Sequence, residues 1–262
     1  MQDKATLEDA LVIMRDLRAR DAWDKAQTHA SLRPYLNEEM HELDDALREE
    51  DDSAICGELG DVLLQVLFHA VIAEERGAFG PEQVAGSLVA KMTRRHPWLY
   101  GNDTERTPWE QMKSKTRRSL ADGLPAGLPA LHRAHRLQER AAGVGFDWPD
   151  VSGPLEKVDE ELREVRAQLP ANGAEFPTHG VPSADPAHAK LSDEFGDLLF
   201  AVVNLCRKAG VHPALALDDA NAKFQRRFEA VEQLAVVRGV DVRSAGLEVL
   251  DKLWDEVKAD EG

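Results

Sequence analysis

Glu38-Glu39-Met40-His41-Glu42 and, fifteen residues further on, Glu58-Leu59-Gly60-Asp61-Val62-Leu63-Leu64 form a pair of segments that this chain uses twice. The second use is Glu160-Glu161-Leu162-Arg163-Glu164, followed after 29 residues by Glu194-Phe195-Gly196-Asp197-Leu198-Leu199-Phe200. Further along, Lys91-Met92-Thr93-Arg94-Arg95 pairs with Lys223-Phe224-Gln225-Arg226-Arg227. Trp109 with Lys113, four residues later, pairs with Trp254 and Lys258. Four elements recurring in one order define a duplicated module.

On a helix Glu39 and Glu42 lie three residues apart and Glu38 and Glu42 four apart, so the three share a face. Glu58 and Asp61 share a face of the next helix in the same way. Two such helices packed antiparallel aim four or five carboxylates at one another. Unpaired, these charges repel and raise one another's pKa values. A hard divalent cation with a preference for oxygen ligands removes the conflict. The apolar residues after Asp61 and Asp197 set the pair at the mouth of a core, where a solvated acidic helix would have none. Gly60 and Gly196 each cost about 1 kcal/mol relative to Ala inside a helix, which predicts a neighbouring backbone or ligand close by. An isolated EExxE is most often a solvated face. Ordered recurrence beside apolar helices points instead to a metal site. Asp44-Asp45 and the run from Glu49 to Asp52 do not recur and read as a solvated helix end and loop.

The surrounding chain is helical in pattern. Ala, Leu, Glu and Arg dominate, aromatic residues make up 6% of the chain, and β-branched alternation is scarce. Helices are expected over 6–20, 32–50, 58–76, 81–95, 107–120, 131–142, 155–169, 190–209, 214–238 and 244–259. Gly123, Pro125, Gly127 and Pro129 mark a linker near the midpoint. The expected organisation is therefore all-α, two tandem helical bundle modules over 1–122 and 123–262. A Pro- and Gly-rich flexible loop is expected over 168–190.

Composition excludes several classes. The 262 residues are 43% hydrophobic, enough for real cores and too apolar for a disordered chain. The longest apolar stretch, Val62 to Ala73, is interrupted by Gln65 and His69 and is too short to span a bilayer, so no membrane partner is expected. Met1 to Ala10 shows no cationic start followed by an apolar run, so no export signal is expected. Cys56 and Cys206, with no CxxC pair, fit a reducing cytoplasm and exclude a cysteine-rich zinc site. The net charge of −16 argues against a nucleic-acid polymer as partner. Asn37 to Asp61 alone carries eleven acids against Arg48. In so acidic a chain, Lys91 with Arg94 and Arg95, and Lys223 with Arg226 and Arg227, are local exceptions. Beside a metal cluster they suit a polyphosphate, with metal on one side and cations on the other. Trp109 and Trp254 are candidates to line the same pocket.

The combined pattern resembles the MazG family of nucleoside triphosphate pyrophosphohydrolases over about the whole chain. Trp23-Asp24-Lys25 with Gln27-Thr28, Gly57 to Asp61, Arg94-Arg95-His96-Pro97, Val144-Gly145-Phe146-Asp147-Trp148 and Ala220 to Phe224 carry the resemblance with the paired acidic segments. The resemblance implies an all-α bundle, a homodimer, Mg²⁺ dependence with Mn²⁺ as a substitute, and hydrolysis of NTPs or dNTPs to monophosphate and pyrophosphate. Carried over by position, the metal ligands are Glu39, Glu42, Glu58 and Asp61, and again Glu161, Glu164, Glu194 and Asp197. Glu38 and Glu160 fall beside the clusters, placed to orient the attacking water. Lys91, Arg95, Trp109, Lys113, Lys223, Arg226, Arg227, Trp254 and Lys258 are the substrate-binding candidates. The implied reaction is metal-assisted attack of water on phosphorus, with Lys and Arg neutralising the developing charge.

The repeats differ. Asn221 precedes Lys223 where Val89 precedes Lys91, so only the second offers an amide to a sugar or base, which favours it as the main catalytic site. Two other readings compete. A di-iron carboxylate bundle needs ExxH from two helices; Glu38 to His41 supplies one, but Arg163 stands where the second His belongs. A non-enzymatic scaffold with an acidic docking face predicts no turnover. No GxxxxGK[ST] loop is present, and Gly143-Val144-Gly145 lacks the third glycine of a dinucleotide loop.

Overall fold

A computed structural model describes residues 5–102, 119–169 and 186–260. Trp109, Lys113 and most of the helix expected over 107–120 lie outside the described residues, as do residues 170–185 of the segment 168–190. All regular structure among the described residues is helical. The chain divides into two compact units, residues 1–106 and 107–262.

The first unit begins with α1 (Leu7–Arg20), opened by a capping box in which Thr6 Oγ1 accepts from the Asp9 amide and the Asp9 carboxylate accepts from the Thr6 amide. A short α2 (Ala22–Ala26) leads to α3 (Arg33–Glu49) and α4 (Asp52–Glu75). The α4 helix starts six residues before the position expected, because Asp51 caps it by accepting from the Ser53 amide at 2.8 Å. Then come α5 (Pro81–Arg95), with Pro at its first turn, and the one-turn α6 (Pro97–Tyr100). α4 is central: it packs against α1, α3 and α5. Leu11 and Met14 of α1, Leu32, and Phe68, Val71 and Ile72 of α4 form the core. Arg18, buried under α1, donates to the carbonyls of Asp24 and Gln27 and pairs with Glu75, tying three segments together. By length and composition alone α4 is long and apolar enough to cross a bilayer, an 18-residue window of it having a mean hydropathy of 1.6, a test that the core helix of a globular unit also passes. Its contacts with α1 and Leu32 are those of a core helix.

The second unit repeats the order. It contains α7 (Ala130–Ala142), α8 (Ser152–Gln168), α9 (Pro186–Lys208), α10 (Pro213–Val237) and α11 (Leu247–Asp260). α8 packs along α9 as α3 packs along α4, and α7 crosses both α9 and α10. Residues 186–190, expected in a loop, are helical in α9, where Ala187 and Ala189 favour helix. Arg140, also buried, donates to the carbonyls of Leu120 and Asp122 at 2.8 Å, which draws residues 120–122 onto this unit. A second core, Val231, Ala235, Leu253 and Val257, joins α10 to α11.

Candidate functional site

Packing α3 along α4 brings Glu39 to Glu58 and Asp61, with one carboxylate oxygen of each within 4.8 Å of the others. Packing α8 along α9 does the same for Glu161, Glu194 and Asp197. The i, i+3 spacing of Glu58/Asp61 and Glu194/Asp197 places each pair on one helix face, and the facing helix supplies the third group. Glu42 and Glu164 border the trios, near enough that Glu42 helps raise the pKa of Glu39 and Glu164 that of Glu194. Glu38 and Glu160 point outward and are exposed.

At both trios a carboxylate is held in its less ionised form, a conflict that a bound cation would relieve. Glu39 is pushed above the ordinary carboxylate range by burial, then by the Asp61 charge, while a 3.4 Å hydrogen bond from Gln65 opposes the rise. Glu194 is pushed up by burial and then by the neighbouring Glu164 carboxylate. All donors are carboxylate oxygens, the set preferred by a hard divalent cation. His41, needed for an iron site, is exposed and not part of either trio.

In the second unit a cation of the protein already stands at the edge of the cluster. Lys157 Nζ donates to Glu161 Oε1 at 2.6 Å and to Glu160 Oε1 at 3.0 Å, and these carboxylates push the ammonium pKa up. Glu161 itself is buried. Tyr35 occupies the corresponding register of the first unit. Lys157 was absent from the sequence-derived site, although its i, i+4 spacing to Glu161 was a usable signal.

Beside Glu161 and Asp197 opens a cavity of about 390 Å³, with Leu137, Phe146, Trp148 and Phe200 among its walls. Gln138 and Asn204 reach it as well. Asp147 of the Val144–Trp148 segment pairs with Arg207 and, at 3.1 Å, with Lys208, fastening this loop to the end of α9. Sequence reasoning drew on Asp147 and Trp148 only for the family resemblance and missed Gln138 and Asn204. The signal for Asn204 was a polar residue inside the apolar run Ala201 to Leu205.

The expectation of a close protein neighbour at Gly60 and Gly196 does not hold within the units. A Cβ at either position would meet nothing within 4 Å. A cleft of about 530 Å³ lined by Lys190, Asp193, Gly196 and Asp197 lies there in the second unit.

The basic candidates fall on α5, α10 and α11. Asn221, Lys223 and Arg226 are exposed on α10, and Lys258 is exposed on α11. Lys91, Arg95 and Arg227 are half-buried, the two arginines being engaged by other groups. The described contacts bring none of these residues onto the carboxylate trios. Trp254 packs on the α10–α11 core with its ring 5.3 Å from that of Phe224.

Two helical units, each gathering three carboxylates that could hold a metal ion at the same register, define the class: an all-α chain with a duplicated acidic cluster. Residues 27–100 match the MazG nucleotide pyrophosphohydrolase domain. The chain is 38% identical over 269 residues to the nucleoside triphosphate pyrophosphohydrolase of Escherichia coli K12, covering 97% of this chain and 98% of that one. It is 42% identical over 259 residues to the nucleoside triphosphate pyrophosphohydrolase/pyrophosphatase MazG of Thermotoga maritima, covering 96% and 95%. It is also 42% identical over 262 residues to the uncharacterized protein YabN of Bacillus subtilis, of which it spans 51%. The chain belongs to the MazG family of nucleoside triphosphate pyrophosphohydrolases.

Proposed function

We propose that this chain hydrolyses nucleoside triphosphates, NTP or dNTP, to the monophosphate and pyrophosphate, using Mg²⁺ with Mn²⁺ as a substitute. One observation carries the reading: three carboxylates converge at the same register in both units, and in each trio one of them, Glu39 or Glu194, has its pKa raised by burial and then by a neighbouring carboxylate. Glu161, Glu194 and Asp197, with Glu164 at their border, are the residues to hold the metal in the second unit. Glu39, Glu58, Asp61 and Glu42 are their counterparts. Such a cation supplies Lewis acidity and charge neutralisation at the phosphates. Glu160 orients the attacking water from the rim, as does Glu38 in the first unit. Lys157, which pairs with Glu161 here, would offer its ammonium to the phosphates if a cation took its place against that carboxylate. Lys223, Arg226 and Arg227, and Lys91 and Arg95 in the first unit, neutralise charge on the leaving pyrophosphate. Asn221 offers its amide to the sugar.

The second unit is the main catalytic site. Ala201 and Asn204 leave its cavity open, whereas Gln65 and Phe68 occupy the same register in the first unit and are buried there. The working form is a homodimer, a reading supported by exposed Leu59, Val66, Leu88 and Val89 in the first unit. A cytoplasmic setting is supported by two free thiols, Cys56 and Cys206. The test is a panel of NTPs and dNTPs with Mg²⁺, scored separately for pyrophosphate and orthophosphate. Pyrophosphate is the expected primary product; orthophosphate alone would sink the reading.

A further inference from the structure

We propose that His132 and His135 of α7 and His212, at the head of α10, form an acid-sensitive latch: the neutral rings hold α7 against α10, and protonation releases it. The latch lies outside both carboxylate clusters and does not depend on the reaction they catalyse.

The i, i+3 spacing puts His132 and His135 on one face of α7, which packs on α10. The His212 ring meets both, its centroid 5.0 Å from that of His132 and 4.8 Å from that of His135. All three residues are half-buried. His212 also caps α10, its Nδ1 accepting from the Leu215 amide at 3.5 Å. A ring nitrogen accepts only when it carries no proton. Protonation there turns the acceptor into a donor facing another donor, and sets a cation against the positive end of the helix. His135 adds a second penalty: its Nδ1 is buried with no partner, so a proton placed there gains no acceptor.

The surrounding charges work in the same direction. Burial first, and then His212 and Arg136, hold His132 below the ordinary imidazole value. Burial, His212, His132 and Arg136 do the same for His135, against Glu139. That carboxylate lies 3.6 Å from His135 Nε2, and its other oxygen is taken by Arg136. On the packed elements, α9 presents the Phe200 carbonyl to Gln138, and its terminal cations Arg207 and Lys208 are paired with Asp147. The first acids of α10, Asp218 and Asp219, lie nearly two turns beyond His212. Beyond the latch α7 continues into Leu137, Gln138 and Ala141, which line the cavity beside Glu161 and Asp197. Releasing α7 from α10 therefore loosens that wall without disturbing a carboxylate of the cluster.

A histidine kept neutral in the closed latch titrates near its ordinary value of about 6.5 once the latch opens. The closed state is thus fully stable above about pH 6.5 and loses stability as pH falls below it. One such histidine shifts the opening equilibrium by about tenfold between pH 7.5 and 5.5.

The test is amide hydrogen exchange on the full chain at those two pH values, corrected for the intrinsic pH dependence of exchange. Leu215 to Leu217 report the head of α10, and Leu137 to Ala141 report the wall. Both stretches are expected to lose protection by about tenfold or more at pH 5.5. His212→Asn keeps a cap acceptor that does not titrate, and should reduce this loss by about threefold or more. If that variant fails to fold, the double variant H132F/H135F carries the same expectation. NMR titration of the wild-type rings needs no variant: His132 and His135 should both titrate below about 6.5. Protection that does not change with pH overturns the proposal, as does an undiminished loss in the folded variant. Ordinary titration of both rings, or a wall that keeps its protection while the head of α10 opens, overturns it equally.

Discussion

Gly153 and Gly196 lie on helices that pack together, yet a methyl group added to each meets different surroundings. At Gly153 it would sit 2.0 Å from Trp148 Cδ1, because the indole lies directly on the first turn of α8. At Gly196 it would meet nothing within 4 Å. Gly153→Ala should therefore destabilise the protein by about 1–3 kcal/mol through overpacking. Gly196→Ala should stabilise it by about 1 kcal/mol through helix propensity, unless bound substrate needs that space, in which case activity falls while stability rises. Thermal unfolding beside a turnover assay separates these results; equal melting shifts for the two variants would contradict the packing argument. At the same scale, Glu161→Gln should lower kcat by roughly 100-fold or more, a loss in the range of disrupted metal sites. Glu39→Gln should cost much less. Abolition of turnover by Glu39→Gln alone would reverse the assignment of the main site.

The link between the 143–151 loop and α9 depends on one carboxylate. Arg207 holds Asp147 below the usual carboxylate value against the opposing effect of burial, and Lys208 adds a smaller push in the same direction. A depressed pKa contributes stability that is present above the unfolded value, about 3.9, and is lost as pH falls through the folded one. Asp147→Asn should thus destabilise the second unit at neutral pH by about 1–3 kcal/mol, less than a fully buried pair because the carboxylate is 22% exposed. It should also remove part of the acid-side fall in stability below about pH 4. Urea melts at pH 7 and pH 3 check both effects, and parallel acid limbs in the two proteins would refute the role of Asp147. Element boundaries show where periodicity ceases to inform. The apolar pattern places the start of α4 near Glu58 and of α9 near Lys190, but Asp51 sets the true start of α4 through capping, and α9 is already helical at Pro186. Polar first turns carry no hydrophobic signal, so pattern reading loses them.

Across the whole molecule, each unit leaves large apolar side chains in solvent: Leu59 and Val89 in the first, Phe195, Leu199 and Phe224 in the second. Covering such groups is what an obligate interface does. Sedimentation equilibrium should give about twice the 29.0 kDa chain mass, and Leu59→Glu should shift it toward the monomer; a monomeric wild-type chain would remove the dimer from the proposed function. By itself, the order of residues determined the helical class, the duplication and the register of the acidic pairs. Helical spacing and recurrence are local properties, and both survive in a one-dimensional string. Only the tertiary structure decided which carboxylates meet, leaving Glu42 and Glu164 at the border of each trio. Only it placed Lys157 against Glu161 and opened the cavity lined by Ala201 and Asn204, whose counterparts Gln65 and Phe68 are buried in the first unit. The amide of Gln138 takes its orientation from a carbonyl 62 residues away. Such a constraint comes from packing between helices, and no spacing along one helix encodes it.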